Sequence, residues 1–161
     1  MSYPPHFSSD VQDLFRLFHK HKVRYLIVGA EAVIYHGYPR LTGDADIFFD
    51  RNKTNCQKLF MALYEFWGGR IPGISSAREL SRRETIFQFG VPPNRIDLIS
   101  TVSGVSFAEA WKGKVGQSFS LKKEAIPVYF IGLAELIKNK EAAGRPKDLA
   151  DLKYLREAAK K

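Results

Sequence analysis

Asp44 and Asp46 stand one residue apart in the stretch Asp44-Ala45-Asp46-Ile47-Phe48-Phe49. If that stretch is extended, alternation puts both carboxylates on one face and Ala45 and Ile47 on the other. Two like charges held side by side repel. Either one keeps a proton, or a cation settles between them, and Mg²⁺, a hard ion that takes oxygen ligands, meets that need. An isolated Asp-x-Asp is more often a solvated strand edge. A third acid alters the balance, because Asp97 sits mid-way along Arg95-Ile96-Asp97-Leu98-Ile99, an apolar strand pattern in which a carboxylate has no packing role. Beside the first two, it would complete a site for two divalent ions about 3.5–4 Å apart, which steadies the attacking and leaving oxygens of phosphoryl-type transfer. The competing use of Asp97 is an ion pair with Arg95 or another structural partner.

Gly29 follows the apolar run Tyr25-Leu26-Ile27-Val28, where a strand hands over to a helix. Glycine there lets backbone amides approach a phosphate, although a plain tight turn explains it as well. Other chemistries find less support. His19 and His21 are two apart on a predicted helix and diverge, Cys56 falls on an apolar helical face, and no Gly-x-Ser-x-Gly surrounds any serine. His36 beside Gly37 is read as orienting its loop, and Trp67, Trp111 and Phe130 as packing groups.

The elements that must position these residues can be read from periodicity. Residues 9–20 form an amphipathic helix capped by Ser9 or Asp10, 25–28 a buried strand, 31–35 a short helix and 45–49 a second strand. A helix over 54–67 stops at Gly68-Gly69. Strands over 85–89 and 95–99 flank the turn-forming Val91-Pro92-Pro93-Asn94. A short helix at 107–111, extended segments at 114–121 and 126–130, and helices at 132–143 and 146–159 complete the chain, the last with Pro146 in its first turn and Asp148 and Asp151 near its positive end. The fold expected is α/β (α+β): a mixed central sheet flanked by helices, in one domain over 1–161 with a helical C-terminal tail from about 133.

With 161 residues, 45% of them hydrophobic and 26% charged, the chain matches a single domain with its own core. No apolar run approaches the ~18 residues of a membrane span, and the start lacks a secretory layout, so a cytoplasmic protein without membrane partners is expected. The net charge of +8 favours polyanionic partners without choosing among nucleotides, nucleic acids and acidic proteins. Part of the excess lies in the C-terminal helices, where a solvated basic face is the simpler account.

Residues 25–50, YLIVGAEAVIYHGYPRLTGDADIFFD, resemble the nucleotidyltransferase superfamily that includes DNA polymerase beta and the small nucleotidyltransferases of toxin–antitoxin systems. The family pattern is an apolar strand, Gly-Gly or Gly-Ser, a short helix and an Asp-x-Asp or Asp-x-Glu strand. Asp97 matches the third acid on a later strand. His36-Gly37-Tyr38-Pro39-Arg40-Leu41-Thr42-Gly43 looks like the H-G-x-x-R-x-T of the toxin–antitoxin branch, and LAELIKNKEAAGRPKDLADLKYL at 133–155 is similar to that branch's helical tail. Ala30 departs from the family, standing where a Gly or a Ser hydroxyl is usual.

The resemblance implies a transfer of a nucleoside monophosphate from a nucleoside triphosphate to an acceptor hydroxyl. Asp44, Asp46 and Asp97 would hold two Mg²⁺ or Mn²⁺ ions and do the catalysis, and the backbone of Gly29 and Ala30 would hold a phosphate. Arg40 and Thr42 would brace the acid strand or touch the nucleotide. Lys140 would reach the triphosphate, or be a surface lysine. The acceptor implied is RNA, a protein or a small molecule, and an antitoxin-type protein partner belongs to the same picture. The rival reading keeps the fold without the chemistry, as a module that binds a nucleotide, an RNA or a partner protein.

Overall fold

The structure, a computed structural model, describes residues 7–37, 44–91 and 94–161. Helix α1 (Ser9–Lys20) buries Val11, Leu14, Phe15, Leu17 and Phe18 along one stripe; its cap is Ser8, whose hydroxyl accepts the Val11 N–H at 3.3 Å, rather than Ser9 or Asp10. Strand β1 (Tyr25–Val28) is buried throughout, as an unbroken apolar run requires when both faces of a strand are covered. It leads directly into α2 (Gly29–Tyr35), which begins two residues earlier than its apolar pattern suggests. After β2 (Ala45–Phe49), Asn52 caps α3 (Lys53–Phe66) by accepting the Asn55 N–H at 2.7 Å.

A 3₁₀ turn at Ala77–Ser81, absent from the sequence reading, is held by Glu79, whose carboxylate accepts the backbone N–H groups of Ser75 and Ser76. Strands β3 (Ile86–Phe89) and β4 (Ile96–Ile99), helix α4 (Phe107–Lys112), the hairpin β5 (Val115–Leu121) and β6 (Glu124–Phe130), and helices α5 (Leu133–Ala143) and α6 (Pro146–Ala159) follow. The hairpin is longer than expected because Lys122 and Lys123 both take positive φ, 49° and 68°, closing a two-residue turn. Asn-Gly is the usual signal for that geometry, and two lysines conceal it.

Among the described residues the strands form one mixed sheet in the order β3-β4-β2-β1-β6-β5. β1 runs antiparallel to β2 and parallel to β6, and β2 runs parallel to β4. Alternation along the strands divides the core in two. Ile27, Ile47, Phe49 and Leu98 face α1 and α3, while Leu26, Val28 and Phe48 join Ala32, Val33, Ala110, Leu136 and Leu155 from the helices of the other side. Asp46 and Asp97 share the parity of Phe48 and Ile99, so they lie on the face that α2, α4, α5 and α6 only partly cover. Among the described residues no helix is long and apolar enough to cross a membrane.

Candidate active site

The parallel pairing of β2 with β4 sets Ala45 opposite Ile96 and Asp46 opposite Asp97. Neighbouring strands lie about 4.8 Å apart, so two carboxylates from positions far apart in the chain become side-by-side neighbours on one face. Asp44 falls one residue before β2 rather than within it. Its Oδ1 accepts the backbone N–H of Arg95 at 3.0 Å, while Arg95's carbonyl accepts the Ala45 N–H at 2.9 Å. Asp44 is thereby fixed at the mouth of the acid pair by the backbone of Arg95, the residue that leads into β4.

Gly29 is required here by a carboxylate. Its φ is +65°, and a Cβ at this position would overlap the side chain of Asp46. The sequence pointed to glycine as a phosphate neighbour; the structure adds that only glycine leaves room for the acid. Burial, then the Asp97 charge and a shared hydrogen bond with Asp97, raise the Asp46 carboxyl to about 6 from its ordinary 3.8. Asp44 adds to this and Lys147 opposes it.

Glu31, which the sequence reading passed over, belongs to the same acidic group. It is 3% exposed on α2, and its Oε2 has no hydrogen-bond partner. Burial and the nearby Asp46 charge raise it to about 7. A lone acid in the apolar run Gly29-Ala30-Glu31-Ala32-Val33 is the same signal that singled out Asp97, and would have found it.

Arg95 supplies the local counter-charge. Its Nε donates to Asp97 Oδ1 at 2.8 Å and a terminal nitrogen donates to Asp97 Oδ2 at 3.2 Å, with Asp44 3.9 Å away. The competing use of Asp97 foreseen from sequence is therefore realised. Hard carboxylate oxygens facing one cleft, one of them on an acid that holds its proton unusually tightly, are chemically suited to Mg²⁺ or Mn²⁺. Among the described residues, however, no three acids, histidines or cysteines are already gathered at metal-ligand spacing. The donor set fits a divalent ion in kind, with the Arg95 guanidinium competing for the Asp97 oxygens.

The cleft, about 650 Å³, is lined on one side by Gly29, Ala30 and the three aspartates, and on the other by α5 and α6 through Lys140, Arg145 and Lys147. Lys140 is neither a surface lysine nor an outstretched cation. It is 5% exposed, with its Nζ 3.0 Å from Asp148 and 3.2 Å from Asp151. Asp148 also takes the backbone N–H and guanidinium of Arg145, the latter at 2.6 Å. Although burial alone would raise it, these donors hold its carboxyl down near 2. The network joins α5 to α6, and Lys147, exposed at the start of α6, and Arg145 are both close enough to Asp46 to interact with its charge.

Arg40 and Thr42 lie outside the described residues. His36 Nε2 lies 2.8 Å from the Ile131 carbonyl, tying the end of α2 to the chain after β6, and Cys56 is buried in the core.

No family model matches the chain, and no curated protein matches it. Among solved structures it is similar to a Thermotoga maritima protein provisionally designated a nucleotidyltransferase, with a TM-score of 0.51, 15% identity and 91% of each chain covered. The two share a fold: a mixed sheet flanked by helices, with the acids of this chain at the end where β1 finishes and β2 and β4 begin.

Proposed function

We propose that this protein transfers a nucleoside monophosphate from a nucleoside triphosphate to an acceptor hydroxyl. The observation that carries the reading is the in-register pairing of Asp46 with Asp97 beside Asp44, in a cleft whose other wall presents Arg145 and Lys147. Asp44, Asp46 and Asp97 would hold Mg²⁺ or Mn²⁺, two ions in all, which when bound neutralise charge developing on the attacking and leaving oxygens. Gly29 and Ala30 leave their backbone open to a phosphate, and Lys147 offers the triphosphate a positive charge. Asp97 positions the acceptor hydroxyl and takes its proton. The hydroxyl oxygen then forms a bond to the α-phosphorus, the bond between that phosphorus and the bridging oxygen breaks, and pyrophosphate leaves with the electron pair. The missing hydroxyl at Ala30 costs one neutral hydrogen bond, about 0.5–1.5 kcal/mol, too little to decide against catalysis. An RNA or protein acceptor and an antitoxin-type partner fit the basic character of the chain.

Labelled nucleoside triphosphates incubated with the protein, Mg²⁺ and total cellular RNA or protein test the reading. A covalent label that requires the metal and disappears in Asp97→Asn, with the fold intact, is the expected result; undiminished turnover by that variant sinks the mechanism. The Arg95–Asp97 pair favours a second reading, in which the same cleft binds a nucleotide, an RNA or a partner protein without reaction. Binding with no label across varied acceptors would favour that module.

A further inference from the structure

A second hollow, about 570 Å³, adjoins the acid-lined cleft and shares Thr101 and Val102 with it. Its size lies within the usual range for sites that take a nucleotide-sized group. Phe48 and Phe107, in edge contact at 5.2 Å, supply apolar wall, and Arg51 and Arg83 supply charge. The one acid in the lining, Asp50, is already committed: it lies 3.4 Å from Arg24 and accepts both the backbone N–H and the side-chain amide of Asn52. Arg51 spends one of its five donors on the Ser81 carbonyl at 3.1 Å, which fixes it to the 3₁₀ turn, and Arg83 is exposed with no ion pair among the described residues. The hollow is therefore net positive.

We infer that this hollow seats the terminal nucleotide of a single nucleic-acid strand whose free hydroxyl is the acceptor, with its backbone phosphates on Arg51 and Arg83. The assignment rests on the nucleotidyl-transfer reading for its chemistry and on the hollow's own lining for its ligand. Triphosphate placed against Gly29, Ala30 and Lys147 leaves the Thr101–Val102 side of Asp97 as the open approach for an acceptor, and that side leads into the arginine-lined hollow. Phe48 is buried and the Phe107 ring is already stacked on Trp111, so it is the arginine charge, meeting backbone phosphates, that suits the hollow to a strand.

Fluorescence anisotropy with end-labelled single-stranded RNA and DNA oligonucleotides, and with a labelled mononucleotide, tests this in the full chain. Binding of a fluorescent nucleoside triphosphate with Mn²⁺ is followed separately. Arg83→Glu is expected to weaken strand binding about tenfold and, per lost phosphate contact, to reduce the salt slope by about 0.7. It should leave triphosphate binding unchanged. Arg51→Gln should act in the same direction, while Lys153→Glu, the same charge change at an exposed site on α6, should not. Tighter RNA than DNA binding, or the reverse, identifies the strand. Strand affinity indifferent to Arg83 and Arg51, mononucleotide binding equal to that of the strand, or triphosphate binding with no strand binding would each overturn the assignment. Loss of strand binding in Arg83→Glu without any triphosphate binding would instead support the hollow and defeat the transfer reading.

Discussion

Arg95→Gln separates what the arginine side chain does from what its backbone does. The backbone N–H to Asp44 and the carbonyl to Ala45 survive the substitution, so β2 and β4 keep their register. What disappears is the two-pronged grip on Asp97, at 2.8 and 3.2 Å, and the positive charge 3.9 Å from Asp44. In the metal-free protein this charge competes directly with any cation for the Asp97 oxygens. Both bonds are charge-assisted, which argues for a large effect. One is long, and the Arg95 side chain is 31% exposed, which argues for a discount. The balance is a gain of about tenfold in Mn²⁺ affinity when Arg95 is removed. Isothermal titration with Mn²⁺ measures it directly, and thermal denaturation in chelator and in excess Mn²⁺ gives a second readout: the variant should be less stable than the parent without metal and should gain more from it. Equal Mn²⁺ affinity in the two proteins, or weaker binding in the variant, would refute the idea that Arg95 stands in for a metal at Asp97.

Gly29→Ala forces a Cβ onto the Asp46 carboxylate in a left-handed backbone conformation; a loss of about 1–3 kcal/mol of stability, seen by urea denaturation, together with impaired Mn²⁺ binding, is expected. Lys140→Met leaves Asp148 and Asp151 buried without their shared cation and should cost about 3 kcal/mol, whereas Lys147→Gln should weaken triphosphate binding several-fold with little change in stability. The metal-free protein should become more stable as the pH falls from 8 to about 5. The folded state there binds protons at Glu31, raised to about 7 from 4.5, and at Asp46, raised to about 6 from 3.8, that the unfolded chain binds only at lower pH. Below about 4 the trend reverses, because Asp148, held near 2, loses the stability its ionised form contributes. Melting temperatures across this range in chelator check both limbs, and Glu31→Gln should flatten the limb between 5 and 7.

Much of this architecture was legible because its causes are local. Apolar spacing marks α1, α3 and the central strands, Pro146 marks the first turn of α6, and the isolated carboxylate in an apolar strand marks Asp97. The Lys122–Lys123 turn carries no glycine or asparagine and the 3₁₀ turn at Ala77–Ser81 has no hydrophobic period, so no local signal marks either. Glu31 does carry one, as a lone acid in the apolar run of α2.

The sequence by itself determined that two aspartates open one apolar strand, that a third lies within another and that a glycine ends a third, each face set by alternation a few residues long. Only the tertiary structure decided that Asp46 and Asp97 stand in register on neighbouring strands, that Arg95 grips Asp97, and that Lys140 is spent on Asp148 and Asp151 while Lys147 lines the cleft. Those outcomes depend on strand register and helix packing between segments distant in the chain. No periodicity within one segment encodes which charge will meet which.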